Sequence, residues 1–440
     1  MRKFIASIAI VGLLVLGGSA FAEIGAIDSV PAATLLLPYF EVAPAAGVTT
    51  LFSINNASAA PVLAHVTLWT DLSRPTLDFD VYLTGFDVVT INLGDLFTTG
   101  AIPQTGPNFD PGDDAISPNA PGEFSFADVN FPACAFPLPA NIPGSLLTYI
   151  QNLHSGGAAP AGFANSGLCG GVDYGDGVYR GYVTVDVANA CSLEFPGSPG
   201  YFVNGGQGIA GNANVLWGDY FWVDVPNAFA QGDSLVHIEA TDTGFWTPGD
   251  YTFYGRYVGY DGSDNREPLA TTWAARYFAG TVGAFDDDTD VVCWRDTGRD
   301  ESGFFTCGSA VAGAVSVDPF PLSQNQIVIF DEQENPVVVE GSPFSPPPTL
   351  EGVLPCPYEA TRADANDFGS IFDFGWFYMN LNTTTGSVVD PIKQSFVTTV
   401  HSASGLFSVG YQAVHLDSAL AKTFTVTTAP SDVILPLGVE

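Results

Sequence analysis

Polar and apolar residues alternate strictly in DFDVYL, residues 78–83. The apolar residues of this stretch would lie on one face of a strand and its two aspartates on the other. The same period of two runs through VLAHVTLW, residues 62–69, and VVTINL, residues 88–93. Alternation of this kind is typical of antiparallel strands with one buried face. The sequence therefore predicts an all-β fold.

Further short alternating segments follow, separated by Gly, Pro, Asn and Asp, and one of them is YTFYGRYVGY, residues 251–260. We expect two or three antiparallel β-sandwich domains with long Pro/Gly-rich loops and little helix. Changes in composition predict the following organisation: a signal peptide (1–22), a β-sandwich domain (23–105), a Pro/Gly-rich loop region with one short helix at 145–154 (106–170), a β-rich domain (171–340), a Pro-rich linker (341–357) and C-terminal strands that complete a sandwich (358–440).

The start of the chain predicts where the protein works. Arg2 and Lys3 precede an apolar run, and small residues lead up to Ala22. This order is typical of a secretory signal peptide cleaved after Ala22. We therefore expect a secreted or extracellular protein, located in the periplasm or at the cell surface of a Gram-negative bacterium. The mature chain contains no predicted transmembrane segment.

The chain is strongly acidic, with 47 Asp and Glu against 12 Lys and Arg, and its formal net charge is −35. Such a charge repels phosphate backbones and anionic lipids, so nucleic acid is excluded as a partner. Divalent cations or basic protein surfaces are the natural counter-charges. The simpler interpretation is that the charge keeps an aromatic-rich protein soluble.

The cysteines predict disulfide bonds, because their number is even in an exported chain. Two of them, Cys293 and Cys307, flank a polar, Gly-containing loop, and we expect them to pair across a β-hairpin. The remaining four allow three pairings, which stay open: Cys134, Cys169, Cys191 and Cys356.

Two acidic clusters are candidate calcium sites. Asp286, Asp288 and Asp290 lie in FDDDTD, and Asp261 and Asp264 lie in DGSDNRE. Calcium takes six to eight oxygen ligands, which closely spaced carboxylates in flexible loops can supply. An EF-hand is excluded, since the glycine and the bidentate glutamate that its loop needs are missing from FDDDTDVVCWRD. The alternative is that these residues are solvated turn aspartates.

One aromatic row is a candidate ligand-binding site. Tyr220 and Trp222 would share a strand face in WGDYFWVD, residues 217–224. Flat aromatic side chains beside carboxylates can stack on sugar rings or form a subunit interface, or they can be covered within the fold. We predict no catalytic residue: G-x-S-x-G and H-E-x-x-H are both missing, and the many acids make any carboxylate pair uninformative.

Several phrases resemble known exported proteins. They are PAATLLLPYF, TTLFSINNAS, HVTLWTD, NVLWGDYF and YTFYGRYV, and they resemble uncharacterised exported β-rich proteins of environmental Gram-negative bacteria. That resemblance brings no activity or site residue with it. The first predicted sandwich also resembles the immunoglobulin-like repeats of bacterial surface proteins, which implies immunoglobulin-like β-sandwich domains.

These observations favour an exported, non-catalytic structural, adhesion or surface-assembly protein stapled by disulfides. Its expected partners are further copies of itself or other surface proteins. The segment 26–37 is the candidate strand to be added to a neighbour's sheet edge. Two alternatives remain: a carbohydrate-binding protein or glycoside hydrolase that holds glycans with Tyr220 and Trp222, and a calcium-stabilised extracellular scaffold.

Overall fold

The computed structural model describes residues 30–103, 142–226, 228–241, 244–278, 281–282, 285–296, 304–307, 322, 326–338, 358–365, 372–381, 394–403, 407–412 and 414–417. In this part of the chain the protein is mostly β, with several antiparallel sheets and three helices. The predicted β class is confirmed. Within the same ranges, the helices are all too short or too polar to cross a membrane.

The strands before residue 240 are β1 (Thr34–Val42), β2 (Val48–Asn56), β3 (Val62–Thr70), β4 (Pro75–Leu83), β5 (Val88–Asn92), β6 (Leu168–Cys169), β7 (Tyr179–Ala188), β8 (Leu216–Trp217), β9 (Asp219–Asp224), β10 (Phe229–Ser234) and β11 (Val236–Ile238). The later strands are β12 (Thr272–Phe278), β13 (Thr281–Val282), β14 (Phe285–Asp296), β15 (Phe305–Thr306), β16 (Gln326–Asp331), β17 (Pro336–Val338), β18 (Ala360–Asp364), β19 (Phe374–Asn380), β20 (Gln394–Ala403), β21 (Phe407–Gln412) and β22 (Val414–Asp417). The helices are α1 (Leu93–Thr99), α2 (Gly144–His154) and α3 (Gly255–Val258), and a 3₁₀ turn covers Pro44–Ala46.

Two sheets form the N-terminal half. Sheet I has the strand order β11-β1-β7-β3-β4, and sheet II has the order β10-β9-β2-β5 with β8 also paired to β2. Both sheets combine strands from before residue 93 with strands from after residue 178. The predicted boundary between 23–105 and 171–340 is therefore wrong. Alternation identifies a strand but carries no information about its partner, and these partners are distant in sequence.

The N-terminal strand is an integral part of sheet I. β1 pairs with β11 on one side and with β7 on the other. Leu35, Leu36 and Leu37 are buried. The prediction that 26–37 is donated to a neighbouring molecule is therefore wrong for residues 34–37, because both edges of their strand are already paired. Residues 26–29 lie outside the described part of the chain.

Two more sheets form the C-terminal half. Sheet III has the order β17-β16-β19-β12-β22, and sheet IV has the order β13-β14-β20-β21 with β18 also paired to β14. Strands from the predicted 171–340 domain and from the predicted 358–440 segment therefore share sheets. The predicted linker 341–357 lies outside the described residues.

Aromatic contacts join the two halves in one continuous core. The ring of Trp69 in sheet I lies 5.3 Å from that of Tyr257 in α3. Tyr182 meets Trp294 of sheet IV edge to face at 5.9 Å. Trp69 also stacks on Tyr182 with an interplanar angle of 5°. Because aromatic side chains bury large apolar areas, these contacts hold the halves together.

One predicted helix is confirmed and one predicted strand is wrong. α2 covers the expected 145–154 segment, with Ile150 and Leu153 buried as the 3.6-residue period requires. The segment 251–260, expected as a strand, contains turns and α3 instead. Gly259 ends α3 with a φ of 66°, a conformation that glycine adopts without strain.

The disulfide pattern differs from the hairpin prediction. Cys307 is bonded to Cys169, 138 residues away, where β15 pairs with β6. Cys293 lies in β14 and faces Thr361 of β18 and Val397 of β20. Both sides of its strand are thus occupied, and the expected Cys293–Cys307 hairpin does not form. Cys191 and Cys293 also take part in disulfides, whereas Cys134 and Cys356 lie outside the described residues.

Candidate functional site

The predicted aromatic site at Tyr220 and Trp222 faces the interior. Tyr220 is 0% exposed and Trp222 is 6% exposed. The indole Nε1 of Trp222 donates a hydrogen bond to the carbonyl of Tyr39 at 3.2 Å, and the two rings meet at 81°. Burial raises the pKa of Tyr220. Neither side chain can stack on a glycan, so this site prediction is wrong.

The other face of the same strands carries three exposed apolar side chains. Trp217 is 42% exposed, Phe221 is 45% exposed and Val88 is 57% exposed. In the register of sheet II, Asn55 faces both Trp217 and Val88, and Leu51 faces Phe221. Directly paired residues share a face of a sheet. We call this surface, formed by Leu51, Asn55, Val88, Trp217, Asp219 and Phe221 with Ser53 between them, the outer face of sheet II.

Phe221 packs over a glycine of the neighbouring strand. Its partner in β10 is Gly232. A Cβ atom placed on Gly232 would lie 2.4 Å from Cε1 of Phe221 and 2.6 Å from its Cδ1. The phenyl ring therefore occupies the space above the glycine backbone, as in aromatic rescue of sheet glycines. The Phe221 side chain remains 45% exposed.

A hydrogen-bonded polar floor separates the exposed rings. The Ser53 hydroxyl donates to Oδ1 of Asp219 at 2.6 Å, and the Asn55 amide donates to the Ser53 hydroxyl at 3.0 Å. Asn55 is 2% exposed, and its Oδ1 has no hydrogen-bond partner. A buried acceptor without a donor is costly and uncommon in native proteins. The outer face thus combines apolar rings with an unused hydrogen-bonding group.

A strained aromatic residue stands at the turn that enters β5. Phe86 is 56% exposed and has a φ of 61°. Asp87 donates its N–H to the carbonyl of Thr84 at 3.3 Å, so Phe86 occupies the third position of a turn. Glycine is preferred at such a position because a Cβ is strained there. Strain at an exposed aromatic residue is a feature of functional sites.

The FDDDTD calcium site does not have the expected geometry. Asp286, Asp288 and Asp290 lie in the extended strand β14 rather than in a loop. Positions four residues apart in a strand are separated by about 13 Å along the backbone, whereas the expected site needed the closely spaced ligands of a loop. The Asp290 carboxylate instead pairs with Arg362, with Oδ2 at 2.6 Å from NH2. Its neutralising partner is therefore a guanidinium.

The DGSDNRE candidates have structural roles. Asp264 is 0% exposed and accepts the backbone N–H of Tyr254 at 2.7 Å and that of Arg266 at 3.1 Å. Asp261 accepts the N–H of Ser263 at 2.8 Å. These bonds shape the loop. Among the described residues, three His, Cys, Asp or Glu side chains nowhere come together as a metal site.

A row of polar side chains crosses the buried centre of sheet I. Thr34 faces Asp186, Asp186 faces His65, and His65 faces Asp80. His65 donates from Nδ1 to Asp80 at 2.8 Å, and Tyr201 donates its hydroxyl to Asp186 at 2.9 Å. Burial lowers the pKa of His65, but the hydrogen bond to Asp80 and the nearby carboxylates outweigh it, and the net shift is upward. These side chains form hydrogen bonds with one another inside sheet I, which indicates a structural role.

A second buried network joins α3 to sheet IV. Arg256 pairs with Glu359, and its NH1 lies 3.0 Å from Oδ1 of Asp296. Gln394 donates to Asp296 at 2.9 Å. The adjacent cavity, lined by Trp69, Tyr182 and other core residues, has room for about one water molecule. This network holds the core together and leaves no space beside it for a substrate.

The arginines that the structure describes contribute no free positive charge to the surface. Every arginine in the described part of the chain is either buried or ion-paired, the buried ones being Arg74, Arg256, Arg266 and Arg295. The others pair with carboxylates: Arg180 with Asp176 and Glu41, Arg276 with Glu332, and Arg362 with Glu41 and Asp290. In the described part of the chain, each arginine is therefore either buried or has its charge offset by a neighbouring carboxylate.

Sequence reasoning missed Trp217, Phe221 and Phe86. Alternation places Trp217 and Phe221 together, opposite Tyr220 and Trp222, but does not say which face is covered. Nothing local identifies Phe86, since its strain depends on the turn geometry. Comparison of the chain with protein-family models, curated proteins and solved structures finds no match.

Proposed function

We propose that this protein is an exported, non-catalytic structural, adhesion or surface-assembly protein that meets its partner through the outer face of sheet II. The observation that carries the proposal is the cluster of exposed Val88, Trp217 and Phe221 on one open sheet face. Exposed apolar side chains grouped on one face, with polar residues between and around them, favour an interaction site on this face. Residues 34–37 have no part in this contact, because β1 is internal to sheet I.

The body behind this face supports a contact role. Its charged groups form internal networks, and a disulfide joins Cys169 to Cys307 across the chain. A face built on paired strands of such a body is pre-organised, which lowers the entropy lost on binding. We also propose that sheets I and II stack as an immunoglobulin-like sandwich. The hydrogen bond from Trp222 of sheet II to Tyr39 of sheet I supports this arrangement.

The test compares association before and after the apolar face is removed. The oxidised protein is sedimented with outer-membrane fragments of a Gram-negative bacterium and, in parallel, alone at increasing concentration. The variants are Trp217→Ser, Phe221→Ser and their combination, with Phe245→Ser as the control. Phe245 is 51% exposed but lies between β11 and α3, outside sheet II.

The proposal expects the wild-type protein and Phe245→Ser to associate equally with the fragments or with themselves. The double variant should lose at least tenfold in affinity, the effect of about 1.4 kcal/mol. The single variants provide the same comparison should the double variant fail to fold. Equal association of all variants, or no association of the wild type in either assay, contradicts the proposal.

A further inference from the structure

We propose that the outer face of sheet II binds a chain of uncharged pyranose sugars, with Trp217 and Phe221 as stacking platforms. This inference rests on the proposed function and names the chemistry of the partner. The site also includes the hydrogen-bonding groups of Asp219 and Asn55 between the two rings.

The spacing of the aromatic residues suits an extended ligand. Trp217 and Phe221 are four residues apart along paired strands, so their Cα atoms are separated by about 13 Å. Phe221 packs over Gly232 and remains 45% exposed, so part of its ring is open to a ligand. A pyranose ring has an apolar C–H face that fits a flat aromatic ring and hydroxyls at its rim that reach polar side chains. Two platforms on one line would hold sugars at two points of the same chain.

The polar floor supplies hydrogen-bond acceptors where sugar hydroxyls would lie. The Asp219 carboxylate stands between the two aromatic residues in sequence and is only half-buried. The buried Oδ1 of Asn55 lacks a donor, and the register places it between Trp217 and Val88. A hydroxyl that enters between these side chains would satisfy this oxygen. Apolar rings with a few placed polar groups are the usual composition of a small-molecule or glycan subsite.

Charge decides which sugars fit. The chain carries a net charge of −35, and the described arginines are buried or ion-paired. Sulfated, phosphorylated and uronate-containing polymers would be repelled by this surface. A protein partner fits less well, because protein hot spots are anchored in pockets and the outer face of sheet II is an open strand surface. Uncharged polysaccharide is therefore the occupant that the observations favour.

Affinity electrophoresis tests the inference directly. The folded, oxidised protein is run through gels that contain soluble β-glucan, mannan, xylan or dextran, and through a gel with alginate as the anionic control. Trp217→Ala and Phe221→Ala are compared with the wild type and with Phe245→Ala. We expect at least one uncharged polysaccharide to retard the wild type and Phe245→Ala. Each platform variant should lose at least tenfold in affinity, and alginate should retard none of the proteins.

Other outcomes separate this inference from the proposed function. No retardation by any uncharged polysaccharide, or retardation that both platform variants retain, overturns the inference. If association with membrane fragments still depends on Trp217 and Phe221 in that case, the proposed function stands and its partner is a protein. If that association is also unaffected by the variants, both proposals fail.

Discussion

Two substitutions, Phe86→Gly and Phe86→Ala, measure the backbone strain in the turn before β5. In most positions outside such turns, alanine is more stable than glycine by about 0.5–1 kcal/mol, because glycine loses more backbone entropy on folding. At residue 86 the φ of 61° reverses this order. An L-residue other than Asn or Asp is destabilised there by about 1–2 kcal/mol.

The two effects set the expected magnitude. Subtracting the entropy of glycine from the strain leaves Phe86→Gly more stable than Phe86→Ala by about 0.75 kcal/mol, within a range of about 0–1.5 kcal/mol. Both variants lose the same phenyl ring, so contacts of the side chain cancel in the comparison. The neighbouring Gly85 is the matched contrast, since a Cβ there would lie 2.3 Å from the carbonyl oxygen of Ala59. Gly85→Ala should therefore destabilise by more than the difference seen at residue 86.

Urea unfolding of the oxidised variants, followed by tryptophan fluorescence, gives the three free energies of unfolding. We expect Phe86→Gly to unfold at a higher urea concentration than Phe86→Ala. The dependence of the free energy of unfolding on urea concentration should be the same in both variants. The opposite order at residue 86 would refute the argument from strain. Affinity for the partner should fall equally in both variants if the Phe86 ring contributes to the contact.

Three further predictions concern a buried carboxyl, a disulfide and a buried ion pair. Burial raises the pKa of the Asp71 carboxyl to about 7. The protonated carboxyl therefore stabilises the folded state fully at pH values below the unfolded pKa of about 4, and this stabilisation is lost as the pH rises through 7. Asp71→Asn should therefore be more stable than the wild type by on the order of 2 kcal/mol at pH 8 and show no gain at pH 4; thermal melts that differ equally at both pH values would contradict this. Removing the Cys169–Cys307 disulfide by serine substitution of both residues should lower the free energy of unfolding by about 2–5 kcal/mol, because the bond closes a long loop; urea midpoints that match the wild type would count against it. Glu359→Ala should cost about 3 kcal/mol by leaving Arg256 underpaired in the core, whereas Glu359→Gln should cost less in the same urea assay, and equal losses would contradict the role of the ion pair.

Local patterns in the sequence predicted local structure well. The alternation in residues 78–83 corresponds to β4, and the apolar period in residues 145–154 corresponds to α2. In α2 the pattern also identifies the covered side. In β4 it does not, because both faces are buried and Asp80 of the polar face bonds to His65. The FDDDTD segment is the exception. Asp disfavours strands, yet β20 pairs along most of β14, and tertiary pairing overrides the local preference.

Disulfide partners, strand partners and the covered face of β9 could not be predicted from local sequence patterns. The partner of Cys307 lies 138 residues away, and the strands of sheets I and II come from both sides of a long insert. The aromatic strand β9 carries large side chains on both faces, so its pattern cannot say that Trp222 is covered by sheet I while Phe221 faces solvent. The partner sheet decides this, and only the folded structure shows it.

The contact role of the outer face of sheet II is tested most directly by oxidative footprinting with and without its partner. Hydroxyl radicals modify exposed aromatic side chains, and mass spectrometry gives the rate at each residue. On addition of outer-membrane fragments or of the retarding polysaccharide, we predict that oxidation of Trp217 and Phe221 slows at least fivefold while that of Phe245 is unchanged. If Trp217 and Phe221 are oxidised at the same rate in the bound and the free protein, the outer face of sheet II is not the contact surface.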